Sequence, residues 1–123
     1  MDTKALLLEL LLEKHASEPK ESQFQSTHVG KVCIVRCDRS GVFYGTLESR
    51  CGHDARIRHA RRLWCWAGAA SLSELAVHGT CQPDQCKFPV AVDSIEVSDA
   101  IETLVMSDKA IASLNGVKIW AAK

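Results

Sequence analysis

Short apolar-rich stretches in the middle of the chain are separated by polar turn residues, and this pattern predicts strands. Residues 31–37 (KVCIVRC) and 42–49 (VFYGTLES) each read as a strand, with Asp38-Arg39-Ser40-Gly41 as the turn between them. Gly45, in the middle of the second, predicts a bend or a close backbone approach. Cys51-Gly52-His53-Asp54 is the next turn. Residues 55–59 predict a third strand, Ile57 inward and Arg56 and Arg58 on the other face, and residues 61–66 a fourth that runs into Gly68. Closely spaced hairpins of this length imply a strongly bent antiparallel sheet, because an isolated hairpin does not support itself.

Elsewhere the pattern turns helical. Residues 1–16 are leucine-rich, from Leu6 to Leu12 with only Glu9 between, and predict a helix whose apolar arc is too wide for one wet face. It is expected to bury against the domain or against a second copy of the chain. Residues 17–27 are polar, contain Pro19, and read as a linker, so a compact domain is expected over 28–123. Ser71 and Glu74 form a capping-box signal, and Gly79 is placed to end that helix. Residues 81–89 form a loop rich in turn residues, and 90–97 predict a strand with a bulge at Asp93-Ser94. Residues 100–106 read as a strand or a short helical turn. A helix capped by Ser107 and ended by Asn115-Gly116 follows, and residues 117–120 close as a strand. The expected fold is α+β: a small bent antiparallel sheet or barrel, two short helices and an N-terminal helix.

Charge narrows the choice of partners. The 123 residues carry 15 Lys and Arg against 15 Asp and Glu, which argues against dependence on long nucleic acid but leaves room for a small anion. No apolar run is long enough to span a membrane, and the start of the chain does not read as an export signal, so a cytoplasmic protein with reduced thiols is expected. The six cysteines lack tight paired spacing. Cys33 and Cys37 would lie roughly 13 Å apart along a straight strand, too far to share an ion, and no metal or cofactor is expected.

The richest chemistry lies in residues 60–80 (ARRLWCWAGAASLSELAVHGT). Arg61 and Arg62 carry forked donors suited to phosphate or carboxylate, and Trp64 and Trp66 carry flat faces that stack on a base or fill a core. Alternation puts Arg62, Trp64 and Trp66 on one face and Arg61, Leu63 and Cys65 on the other. Ser71 and Ser73 stand where a helix N-terminus could meet an anion, and His59 beside the arginines is the best candidate acid or base. The motifs of hydrolases, phosphate loops and zinc proteases are missing. The expected ligand residues are therefore Arg61, Arg62, Trp64, Trp66, Ser71, Ser73 and His59, with no catalytic residue.

Two resemblances extend this reading. GKVCIVRCDRSGVFYGTLESR (residues 30–50) followed by ARIRHA (55–60) resembles the opening of an Sm-like or SH3-like small barrel. GVFYGTLESR, ARRLWCWAGAASLSELA, CKFP and VKIW together resemble a group of small proteins carried by tailed bacteriophages and prophages. The second resemblance implies a phage-encoded protein acting in the host bacterial cytoplasm. With the residue content it gives one leading expectation: a homo-oligomer that sequesters a nucleotide-derived immune signal without converting it. The alternatives are an oligomeric interaction protein docking on a host protein, with the tryptophans in the core, and an enzyme that degrades such a signal through His59 or a cysteine.

Overall fold

The structure, a computed structural model, describes residues 26–122. The expected leucine-rich helix and nearly all of the linker lie outside the described residues. Five strands, β1 (Val32–Cys37), β2 (Val42–Cys51), β3 (Asp54–Arg62), β4 (Val92–Val97) and β5 (Ala100–Val105), form one antiparallel sheet in the order β4-β3-β2-β1-β5. Helices α1 (Leu72–His78) and α2 (Asp108–Asn115) and a 3-10 turn at Pro83–Gln85 complete the described elements.

The sheet is curled by a short link. β4 and β5 occupy opposite edges, yet only Ser98 and Asp99 separate them in sequence. Four inter-strand spacings would place flat edges roughly 19 Å apart, whereas the step from Val97 to Ala100 reaches about 11 Å at most. The edges must therefore approach each other at this end. Among the described residues no ladder joins β4 to β5, so the sheet is bent but not closed.

Curling separates two apolar cores. One is enclosed by the sheet and draws on all five strands, with Cys33, Val35, Phe43, Leu47, Ile57, Val97 and Ala100 among its members. The other lies where Ile34 and Tyr44 meet Leu75, Phe88, Met106, Ala110 and Leu114. β1 contributes to both, which explains its nearly unbroken apolar run. Burial pushes the Cys37 thiol up to about 11, with the nearby Asp99 charge adding to the effect. Burial also raises Cys33.

Asp99 clasps the corner. Its carboxylate accepts from Ser40 Oγ at 2.6 Å, Arg39 N at 2.6 Å and Ser40 N at 2.8 Å, tying the β1–β2 turn to the β4–β5 link. The Ser40 hydroxyl and these backbone N–H groups hold its carboxyl below the usual 3.8. Arg50, buried at the end of β2, donates to Ala100 O at 3.3 Å, Ile101 O at 3.1 Å and Thr103 Oγ1 at 3.3 Å, reaching across to β5.

Sequence and structure part at His59. The two strands expected over 55–59 and 61–66 are a single strand, β3, ending at Arg62. Its register against β2 slips between Tyr44 and Thr46, where Gly45 faces the extra residue, and slips back between Leu47 and Ser49. A Cβ on Gly45 would stand 2.5 Å from Arg58 O and 3.0 Å from His59 O, so the close approach foreseen there is real. The bulge expected at Asp93-Ser94 is absent, since β4 pairs with β3 in one constant register. Residues 100–106 resolve as strand β5 and Met106, and the closing strand shrinks to one bridge, Phe88 with Ile119.

Both helix caps form. Ser71 Oγ accepts from Glu74 N at 3.1 Å, and Ser107 Oγ accepts from Ala110 N at 3.0 Å while donating to Val77 O at 2.6 Å. Gly79 ends α1 as expected, with φ 76° and ψ −154°, a positive-φ region open to glycine.

Two outcomes follow for stability. Gly45→Ala should cost about 1–3 kcal/mol in chemical denaturation, the cost of forcing a methyl into a closed backbone contact; an unchanged midpoint would contradict the close approach. Because Asp99 is held below 3.8, its clasp is fully in place above that value and is lost as the pH falls through the lower folded-state pKa. Denaturation midpoints measured below about pH 4 should fall more steeply for the wild type than for Asp99→Asn.

Candidate functional site: an exposed indole pair

The residues expected to form one ligand face are distributed over several environments. Arg61 is only 6% exposed. Its Nε donates to Pro89 O at 3.0 Å, Nη1 to Leu114 O at 3.1 Å and Tyr44 Oη at 3.4 Å, and Nη2 to Val117 O at 2.8 Å and Phe88 O at 3.1 Å. The guanidinium also lies 5.4 Å from the Phe88 ring centroid. All five of its N–H groups face the protein's own oxygens, so the ligand contact expected of Arg61 is corrected to a structural role.

Arg62 is half-buried, its guanidinium carbon 4.3 Å from the Phe43 ring centroid and its Nη1 hydrogen-bonded to Ser40 O. It pins the same turn that Asp99 clasps, and no contact joins it to Trp64 among the described residues. The alternation expected through residues 61–66 fails because β3 stops at Arg62 and the chain continues irregularly. Trp66 is half-buried against the core beside the helices. The Ser71 hydroxyl caps its own seven-residue helix, Ser73 is exposed, and no hydrogen bond links either to Arg61 or Arg62. His59 is exposed at the β3 bulge.

Trp64 is the residue of the set that keeps a large free face. It is 63% exposed and stands nearly parallel to Trp120, with ring centroids 6.4 Å apart and planes 13° from parallel. Trp120 is 47% exposed, and Lys87 Nζ lies 5.6 Å from its ring centroid. Three short extended pieces position this group. Cys65 and Lys87 exchange backbone bonds at 3.3 and 2.8 Å, and Trp120 N donates to Phe88 O at 2.9 Å. Residues 87–88 thus carry the Trp64 segment on one side and the Trp120 segment on the other, with Phe88 anchored in the core. Sequence reading missed Trp120 and Lys87 because 56 and 23 residues separate them from Trp64. The signals present were the tryptophan of the terminal VKIW run and the lysine of CKFP, which nothing in the sequence brings together.

Flat exposed indoles beside an ammonium group suit stacking of an aromatic ring that carries negative charge. A hollow of about 750 Å³, lined partly by Glu48, Arg56 and Glu96, is a weaker candidate. Its Arg56 is paired within the protein, 2.8 Å from Glu96 and 4.0 Å from Glu48. All six cysteines are free thiols, and no three His, Cys, Asp or Glu side chains among the described residues gather at metal-binding spacing. No helix among the described residues is long and apolar enough to cross a membrane.

Fold and site together define a small α+β domain whose curled five-stranded antiparallel sheet carries a paired indole face. Residues 30–114, more than two thirds of the chain, match the family described as a domain of unknown function, DUF6948, and the chain belongs to that family. The matched span includes Trp64 and Lys87 and stops before Trp120. No curated protein and no solved structure matches it.

Truncation separates the structural cation from the exposed indole. Arg61→Met leaves five oxygens facing a thioether and should lower stability by about 3 kcal/mol or more. Trp64→Ala should lower it by less than about 1 kcal/mol, the range of an exposed aromatic contact. Urea denaturation of both variants checks the contrast, and equal losses would contradict it.

Proposed function

We propose that the protein is a capture protein, which holds a flat, anionic, nucleotide-type ligand on Trp64 and Trp120 and releases it unaltered. The carrying observation is the exposed, nearly parallel indole pair with Lys87 beside it. Stacking on such a surface contributes about 1–3 kcal/mol per base, and an adjacent ammonium favours a phosphate on the same ligand. The ligand set drawn from sequence is thereby revised: Trp64 stays, Trp120 and Lys87 join it, and Arg61 leaves.

The motif resemblance to phage and prophage proteins supports a setting for this capture: sequestration of a nucleotide-derived immune signal in the cytoplasm of an infected bacterium. We read the curled sheet as a small barrel of the SH3-like or Sm-like kind, a reading supported by the strand order and the two-residue link between β4 and β5. We read the protein as a homo-oligomer, supported by the apolar side chains exposed along the two edge strands, Val92 on β4 and Ile101 and Val105 on β5.

Titration with cyclic mononucleotides, cyclic dinucleotides and ADP-ribose, followed by tryptophan fluorescence and calorimetry, tests the proposal. At least one of these should bind saturably and be recovered intact after the protein is denatured. Trp64→Ala and Trp120→Ala should each weaken that binding about tenfold or more. Failure of the whole panel to bind, or recovery of a cleaved product, would overturn it.

A further inference from the structure

A smaller hollow, of about 320 Å³, opens on the opposite side of the C-terminal segment from the indoles. Ile119 lines it while Trp120, the next residue in this extended piece, belongs to the indole pair. Tyr44 and Arg61, both buried, also line it, and Ala91, Val117 and Ile119 are its apolar walls. The exposed His59 and Asn115 stand at its mouth. Its volume is at the low end of the roughly 300–1,000 Å³ range of ligand pockets, enough for a single ring with one substituent.

The charge of this hollow is one-sided. No carboxylate lines it, and none of the five oxygens around the Arg61 guanidinium belongs to an acid. The Arg61 guanidinium keeps its full positive charge and lines the hollow even though its N–H groups are all engaged. Hydrogen-bond donors are available at the mouth. Tyr44 Oη donates to Asn115 Oδ1 at 3.0 Å, which fixes the amide and leaves Nδ2 as a donor. The His59 ring makes no hydrogen bond among the described residues. Its backbone is also unusual: at φ 51° it is the one non-glycine residue with positive φ among the described residues. Such strain persists where the surroundings impose it, and here the bulge opposite Gly45 does so.

We propose that this hollow is a second binding site, for a small organic oxyanion with a compact apolar body. The apolar body lies against Ala91, Val117 and Ile119, and the oxyanion meets Asn115 Nδ2 and the His59 imidazole under the field of Arg61. The site stands independently of the indole pair. Carboxylate and phosphate share the required chemistry, and separate probes distinguish them.

The test follows the Asn115 side-chain amide and the His59 imidazole by NMR during titration with benzoate, phenyl phosphate and the neutral benzamide. Both resonances should move saturably with at least one anion, and benzamide should bind at least tenfold more weakly. A response to benzoate alone assigns a carboxylate ligand, and a response to phenyl phosphate alone assigns a phosphate. Asn115→Asp, an exposed isosteric change that puts negative charge at the mouth, should abolish the response of the His59 imidazole, the resonance the variant retains, while the fold is kept, and Trp64→Ala should leave that response intact. The proposal is overturned if benzamide matches the anions, if neither anion moves the two resonances, or if Asn115→Asp responds as the wild type does.

Discussion

A buried guanidinium organises one side of this domain. Arg61, next to last in β3, gathers carbonyls from Phe88 and Pro89, from Leu114 in the final turn of α2, and from Val117 beyond it, together with the Tyr44 hydroxyl. Two of those carbonyls also accept a backbone N–H, Phe88 O from Trp120 N and Leu114 O from Val117 N. Leu114 O belongs to the four terminal carbonyls that a helix leaves open, at the negative end of its dipole. The cation therefore needs no carboxylate: several partial charges replace one full one, and the planar fork of arginine reaches them where a lysine ammonium, with three donors, would not. A charge so enclosed is costly unless every donor is met, which makes the arrangement of the C-terminal third of the domain strongly dependent on this residue.

That dependence divides the work among cations and rings. Arg61 holds the elements behind the sheet, Arg62 and Asp99 hold the β1–β2 turn, and Arg50 reaches from β2 to β5. Arg56 and Arg58 pair with Glu96 and Glu48 on the sheet's outer side. The arginines named in the centre of the sequence thus act chiefly as connectors of a small curled sheet. What the framework leaves open to solvent is a pair of indoles, positioned by the bridge of Cys65 to Lys87 and the bond from Trp120 to Phe88.

The strands were legible because apolar runs bounded by turn residues mark β1 and β2, and because Ala55 and Ile57 alternate with the exposed Arg56 and Arg58 in β3. Ser71 and Ser107 were legible because a serine cap acts within three residues of itself. Two things were hidden. Carbonyl acceptors are present at every residue, so nothing in the sequence marks Phe88, Leu114 and Val117 as the partners that remove Arg61 from solvent. Long-range pairing is equally silent: Trp120 reaches Trp64 through an intervening segment, and the slip at His59 depends on the β2 backbone opposite, where only Gly45 gave a hint. The irregular stretch after Arg62 turned an expected row of side chains into separate environments, with Trp66 packed against the core and Trp64 in solvent.

The central claim is that the guanidinium of Arg61 belongs to the framework while the indoles belong to the ligand. Nitrogen-detected NMR of the arginine side chains, recorded with and without a bound nucleotide, tests it most directly. Arg61 should show two separate, slowly exchanging Nη signals that stay in place when nucleotide moves the indole signals of Trp64 and Trp120. A single averaged Nη signal, exchanging quickly with water and displaced by the ligand while the indoles stay unmoved, would contradict it.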